Sequence, residues 1–113
     1  MGYELQAGKL RHRVAIQRAT ESRNALGESI LTFATIATRW AEIRPLSGKE
    51  SDIAKRIDAR TTHKIVIRYY EGLKTSDRFL WNSRYFNISD IINILERDKL
   101  MVCTCIEEGL ANG

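Results

Sequence analysis

Apolar and polar positions alternate from Arg11 to Arg18, with His12, Val14 and Ile16 on one side and Arg11, Arg13 and Gln17 on the other. This two-residue period predicts a half-buried strand. The next run, Ala19 to Glu28, holds Thr20, Glu21, Ser22, Arg23, Asn24 and Gly27 between two apolar patterns and predicts a long hairpin loop. β-Branched and aromatic residues return in Ile30, Thr32, Phe33, Thr35, Ile36, Thr38, Trp40 and Ile43, so Ser29 to Arg44 predicts one long or bent strand, stopped by Pro45. Ser47 followed by Glu50 matches a capping box, and Ile53, Ala54 and Ile57 recur at helical spacing through Asp58. A short helix of about three turns is expected there, marginal without tertiary contacts because its apolar positions are few.

Thr61 to Tyr70 alternates again, with Thr61, His63, Ile65, Ile67 and Tyr69 facing one way and Thr62, Lys64, Val66 and Arg68 the other. Gly72 and the Thr75-Ser76-Asp77 cluster mark a turn, and Arg78 to Trp81 and Tyr85 to Ile88 flank Asn82-Ser83-Arg84 as a tight hairpin. Ile91 to Leu95 continues the apolar pattern, Glu96 to Lys99 makes a charged turn, and Leu100 to Ile106 runs as a last strand before a polar tail. The sum is about six strands joined mainly by hairpins, with one short helix inside a long excursion. The expected fold is mainly β with a small α+β character: an antiparallel β-barrel or sandwich, because strands so connected must bury one face. A chain of 113 residues is expected to form a single domain over 1–113, its core spanning about 8–107 between polar tails.

Composition changes this picture little. The chain is 43% hydrophobic and 28% charged, ordinary for a globular protein. Eighteen Lys and Arg against fourteen Asp and Glu leave a net charge of +4, but the cations are scattered among carboxylates instead of forming a stripe, which reads as a solubilising surface. No apolar run approaches the roughly 20 residues of a membrane span. Met1 to Leu10 carries Glu4 and Lys9 where a signal peptide would be apolar, so the expected place is the cytoplasm of the producing cell, with no membrane partner.

Candidate chemistry is sparse. There is no GxSxG elbow, Gly48-Lys49 lacks the glycine-rich loop of a phosphate cradle, and the carboxylate pairs Glu96 and Asp98, and Glu107 and Glu108, fall in turns and tails as solvated charge. His12 and His63 each lie inside a strand pattern, where a half-buried or interface role is expected over a catalytic base. Cys103 and Cys105 are expected as ordinary strand residues on opposite faces, a disulfide between them being strained and further metal ligands lacking. No catalytic, cofactor or metal site is therefore expected, and the chain does not read as an enzyme. Arg68, Tyr69, Tyr70, Arg78, Phe79, Trp81, Arg84, Tyr85 and Phe86 mix cations with aromatics as an oligonucleotide-binding barrel does, which is the alternative reading. Against it, alternation turns Phe79, Trp81 and Phe86 inward as core. Between Arg44 and Lys64 six basic residues face three acidic ones in a weakly apolar segment, the kind often kept for binding.

Taken in order, Ala7-Gly8-Lys9-Leu10-Arg11-His12-Arg13-Val14-Ala15-Ile16-Gln17-Arg18, Asn24-Ala25-Leu26-Gly27-Glu28 and Arg39-Trp40-Ala41-Glu42-Ile43-Arg44-Pro45-Leu46-Ser47-Gly48-Lys49-Glu50 resemble the head-tail joining proteins of long-tailed phages. Thr62-His63-Lys64-Ile65-Val66-Ile67-Arg68-Tyr69 and Arg84-Tyr85-Phe86-Asn87-Ile88 continue the resemblance, which covers roughly Gly8 to Glu107. Arg39 stands where the family often has an apolar residue. These proteins, also described as head-closure, stopper or connector proteins of siphophages and prophages, are structural virion proteins. The resemblance implies a β-barrel that assembles as a homo-oligomeric ring beneath the portal or head-tail adaptor, closes the channel after DNA packaging and docks the tail through a tail-terminator or tail-completion protein. It implies a place in the virion after assembly in the host cytoplasm, and sequence-independent contact with packaged DNA is compatible with the positive charge. It points to Ala19 to Glu28 and Ser47 to Arg60 as ring, adaptor or channel-facing surfaces. Arg23, Asn24, Lys49, Glu50, Lys55, Arg56, Arg60 and His63 are the residues expected at those interfaces.

Overall fold

The computed structural model describes residues 10–46, 60–93 and 97–110. Six strands follow in chain order: β1 (His12–Arg23), β2 (Ser29–Pro45), β3 (His63–Arg68), β4 (Arg78–Trp81), β5 (Arg84–Asn93) and β6 (Leu100–Leu110). Every neighbouring pair is antiparallel, and the sheet closes on itself in the order β1-β2-β3-β6-β5-β4. Of the mainly β barrel or sandwich expected from the alternation, the barrel is the fold. The predicted helix over Ser47 to Asp58 lies outside the described residues.

Closure rests on a short ladder in which Ala15, Ile16 and Gln17 of β1 face Leu80, Phe79 and Arg78 of β4. The same β1 pairs with β2 along its whole length, from His12↔Ala41 to Arg23↔Ser29. Inside the closed sheet Val14, Ile16, Ala41, Ile65, Ile67, Phe79, Phe86, Ile88, Met101, Cys103 and Cys105 form one core. Phe79 and Phe86 are its largest fully buried side chains and sit opposite each other across β4 and β5. Leu10, Val66, Leu100 and Val102 form a second, smaller apolar cluster, so β3 and β6 are buried on both faces. That is why Leu100 to Ile106 reads as a near-continuous apolar run.

Turn chemistry follows the backbone. Asn82 and Ser83 have φ of 53° and 60°, the two left-handed residues that a two-residue hairpin of primed type demands between Trp81 and Arg84. Tyr85 to Ile88 and Ile91 to Leu95, separate in the sequence reading, belong largely to the single strand β5, whose pairing with β6 shifts register between Ile88 and Asp90. β6 continues past Ile106 to Leu110.

Two expectations are corrected. The ten-residue loop over Ala19 to Glu28 is mostly strand: β1 runs to Arg23, β2 starts at Ser29, and only the tip between them turns. Its polar sequence hid this because that part of the hairpin stands clear of the barrel and is wet on both faces, so no apolar alternation marks it. Cys103 and Cys105 do not face opposite ways. Positions two apart on a pleated strand share a face, and both thiols are free and fully buried in the core. Burial pushes the Cys103 thiol up to about 12 and Cys105 well above its ordinary value, so both stay protonated at neutral pH.

On the inward face of β1 the residue after Val14 and Ile16 is Arg18, which closes that end of the barrel with Asp77. The Asp77 carboxylate is fully buried; it accepts from Arg18 Nε and Nη2 at 2.9 Å each and from the Lys74 amide at 2.9 Å, while Arg18 Nη2 also donates to the Gly72 carbonyl at 2.8 Å. Burial alone would raise the Asp77 pKa, but the Arg18 and Lys74 hydrogen bonds outweigh it and hold the carboxyl below its ordinary value. A folded-state pKa below the unfolded one contributes stability above the unfolded value, near about pH 4, and that contribution is lost as pH falls through the folded value. Asp77→Asn is expected to cost about 2 kcal/mol at pH 7, discounted because Arg18 is one-third exposed, with the difference from wild type shrinking below about pH 4. Urea titrations of both proteins at pH 7 and pH 3 check this.

Candidate functional site

The barrel has two ends, and strand directions assign each loop to one of them. β1 enters at His12 and leaves past Gln17, so the β1–β2 hairpin projects from the same end as residues 69–77 and the β5–β6 connection. Pro45, His63, Trp81 and Arg84, and Glu107 mark the other end, where the chain leaves the barrel at Leu46 and returns at Arg60.

Beyond Gln17 the hairpin is a two-stranded ribbon. Ile36 is unmatched where the register passes from Ile16↔Ala37 to Gln17↔Thr35, a bulge of the kind that bends a strand and increases its twist locally. From Gln17 to Arg23 a strand rise of ~3.3 Å per residue carries it roughly 20 Å out. Its tip is ordered by Asn24, whose Oδ1 accepts from the Leu26 and Glu28 amides at 2.9 and 3.0 Å and whose Nδ2 donates to the Glu28 carboxylate at 2.9 Å. Arg23 Nη1 donates to the Gly27 carbonyl at 2.7 Å, and Gly27 takes the left-handed φ of 81° that the turn needs. Farther down, the Ser29 hydroxyl bonds the Glu21 carboxylate. Between these polar ties the ribbon exposes apolar surface: Leu26 is 84% exposed, Leu31 64% and Ile30 41%.

A second tie fixes the ribbon's base. The Arg78 guanidinium lies 3.6 Å from the centroids of both Phe33, on the ribbon, and Tyr85, on β5, and its Nε donates to Gln17 Oε1 at 2.9 Å. Gln17 Nε2 in turn reaches the Thr35 hydroxyl at 3.3 Å. A cation held between two rings resists bending in either direction.

At the far end, Glu107 accepts from Arg84 Nε at 2.7 Å and Nη2 at 3.0 Å, with His63 Nε2 3.9 Å away. The Arg84 hydrogen bonds hold the Glu107 carboxyl below its usual range. Burial lowers the His63 pKa more than Glu107 raises it, so the ring is neutral at pH 7. His63 Nδ1 lies 2.9 Å from the Thr62 hydroxyl, and its ring meets Phe86 edge-on at 5.0 Å. These groups do not make a nucleophile with its base: the Thr62 oxygen accepts from the Glu107 amide at 2.8 Å, and the carboxylate that would orient the imidazole is held by Arg84. The contacts tie β3 to β6 where the 47–59 segment begins and ends, reinforced by Leu46 N to Thr62 O at 3.0 Å and Thr62 N to Cys105 O at 2.9 Å. His12 packs its ring 4.6 Å from Trp81. Among the described residues, no group of three His, Cys, Asp or Glu could hold a metal ion.

The expected interface residues therefore separate. Arg23 and Asn24 stand at the ribbon tip; Arg60 is exposed at the opposite end, and His63 lies buried just inside it. Lys49, Glu50, Lys55 and Arg56 lie outside the described residues. The cation and aromatic mixture that suggested base stacking is satisfied internally: Arg78 on Phe33 and Tyr85, Arg84 over Trp81 and Phe86, and Arg39 over Tyr70, with Phe79 and Phe86 in the core. Sequence reasoning missed the Arg18–Asp77 and Arg84–Glu107 pairs and the Arg78 stack. Of these, the Arg78 stack alone carried a signal, the outward register of Arg78 and Tyr85 on adjacent hairpin strands, which places them diagonally across β4 and β5.

A closed antiparallel barrel with a ribbon projecting from one end and the polar clusters of its described residues spent on internal ties has the build of a structural protein. Comparison with known proteins agrees. The family model of the phage head completion proteins matches residues 5–109, and the chain belongs to that family. It is a structural protein of the virion. Among solved structures it is similar to protein SF1141 from Shigella flexneri 2a, with a TM-score of 0.70 and 27% identity over 89% of this chain and 96% of that one. A chain from the virion of a native gene transfer agent particle shares the fold, with a TM-score of 0.60 and 15% identity over the same shares. No curated protein sequence matches the chain.

Arg78→Ala is expected to leave the barrel folded, at a cost of about 1–2 kcal/mol, and to loosen the ribbon. Hydrogen exchange should accelerate in residues 18–34 while the amides of Ile65, Ile67 and Cys103 keep their protection; equal acceleration everywhere would contradict the anchoring role.

Proposed function

We propose that this head completion protein acts at the head-tail connector as a homo-oligomeric ring that closes the portal or adaptor channel after DNA packaging and receives the tail. The observation that supports this most is that the ribbon projects from one end of the barrel while the chain leaves the barrel and returns to it at the other. The ribbon, with Arg23 and Asn24 at its tip, projects from one end, and the chain leaves for 47–59 at the other, with Arg60 at its return. A subunit so built can hold a partner above and another below while its walls meet neighbouring copies. The portal or adaptor protein and a tail-terminator or tail-completion protein are the partners of that arrangement. Lys49, Lys55, Arg56 and Arg60 give the 47–59 end the cations for sequence-independent contact with packaged DNA phosphates, and Glu50 adds an acceptor for a protein neighbour.

Sedimentation or light scattering over a concentration series, on the protein alone and mixed with the matching portal-adaptor complex, tests this. Ring formation or portal-dependent capture is the expected result. Reversing charge with Lys55→Glu and Arg56→Glu is expected to weaken capture about tenfold, with stability within about 0.5 kcal/mol of wild type. A strict monomer indifferent to the portal-adaptor complex would contradict the proposal.

A further inference from the structure

Closing the barrel does not remove the edges of the ribbon that β1 and β2 form. β2 meets β3 only from Ala41 onward, so among the described residues Ser29 to Trp40 pair with β1 alone. The bulge at Ile36 interrupts the upper part of this stretch, and Arg39 Nη1 occupies the Thr38 carbonyl at 2.8 Å. What remains is a regular open edge over Ser29-Ile30-Leu31-Thr32-Phe33-Ala34-Thr35, without a charge or a proline. Proteins guard exposed edges with charges, prolines or bulges, and an unguarded run of this length and composition pairs with whatever strand reaches it. The ribbon's other edge, Ala19 to Arg23 of β1, carries Glu21 and Arg23 and is guarded.

The direction of the free backbone groups follows from the tip. Asn24 N donates to Glu28 O at 3.0 Å, which makes that position a bonded pair, and bonded and non-bonded pairs alternate down the ladder. The bonded pairs are then Ser22↔Ile30, Thr20↔Thr32 and Arg18↔Ala34; the non-bonded ones are Arg23↔Ser29, Glu21↔Leu31, Ala19↔Phe33 and Gln17↔Thr35. The last assignment agrees with Gln17 turning instead to Arg78 of β4. On β2 the amides and carbonyls of Ser29, Leu31, Phe33 and Thr35 therefore point outward, and on β1 those of Ala19, Glu21 and Arg23 do.

We propose that in the assembled ring the open β2 edge of each ribbon pairs antiparallel with the β1 edge of the ribbon of the next copy of this chain. The inference rests on the ring reading above and adds the contact that joins neighbours. Cyclic symmetry points every ribbon the same way, and within a ribbon β1 runs out while β2 runs back. Two ribbons side by side thus present β2 to β1 in opposite directions, the pairing each hairpin already makes within itself. The β2 edge is long enough to cover the whole β1 edge because both belong to the same ribbon, and an uncharged edge sets no like charge against Glu21 or Arg23. Such a contact is head-to-tail and closes only as a ring.

Hydrogen exchange on the full-length protein, free and assembled, tests it. The amides of Leu31 and Phe33 are expected to exchange at least about tenfold more slowly in the ring, while those of Ile30 and Thr32, already bonded within the ribbon, change little. Leu31→Pro removes one outward N–H and leaves the ribbon's own bonds, so it is expected to raise the half-assembly concentration about tenfold; Leu31→Thr keeps the N–H and is expected to assemble within about threefold of wild type. Rings in which Leu31 and Phe33 exchange as fast as in the free subunit would overturn the edge contact and leave the ring reading standing. A two-fold dimer that protects the same amides would also overturn it, since the edge would then meet itself. A chain monomeric alone and with the portal-adaptor complex would remove both.

Discussion

Three residue pairs between β1 and β4 make this protein a barrel. Without Ala15, Ile16 and Gln17 against Leu80, Phe79 and Arg78, the hairpins would form an open sheet with β1 and β4 as bare edges, and Ile16 and Phe79, now fully buried, would lie at its margin. Closure also decides where the barrel stops. Gln17 is the last β1 residue with partners on both sides; from Arg18 on the strand has only β2, and the same chain that walls the core becomes a ribbon. Arg18 and Asp77 seal the inner face at that boundary, while Gln17, Arg78, Phe33 and Tyr85 brace the outer one.

The same economy governs the charges. An excess of four positive charges in a phage protein invites a nucleic-acid reading, yet Arg18, Arg78 and Arg84 are committed to Asp77, to two aromatic rings and to Glu107. They hold strands together at the two ends, where a short barrel has least core to do so. Both histidines serve the same purpose, His63 packed on Phe86 and His12 on Trp81. Among the described residues these charged and aromatic groups serve as structural ties, which accords with membership of a structural virion family.

Much of this was legible in the residues. Alternation placed Val14, Ile16, Ile65 and Ile67 inward, and Asn82-Ser83-Arg84 located the tight hairpin to within one residue, because each signal is local and tied to a buried face or a positive φ. The ribbon was not legible: Thr20 to Arg23 look like loop because a strand with water on both sides shows no apolar period. Nor were the long-range ties. Arg18 and Asp77 are 59 positions apart, and no local pattern says that one will close over the other. The order of motifs carried the family resemblance where periodicity was silent, and the family match confirms it.

A two-stranded ribbon is marginal by itself in water, and this one gains its definition from contacts that cost the chain no core. Asn24 organises the tip, Glu21 and Ser29 bridge the middle, and Arg78 clamps the base, so the ribbon's direction relative to the barrel is set before any partner arrives. A segment already held in its bound direction loses less conformational freedom on assembly than a loop that must be ordered at that moment. The exposed Leu26, Ile30 and Leu31, unexplained by any need of the folded subunit, then fit a surface kept ready for contact. In the proposed ring the clamp would thus serve assembly even though none of its side chains need touch another protein.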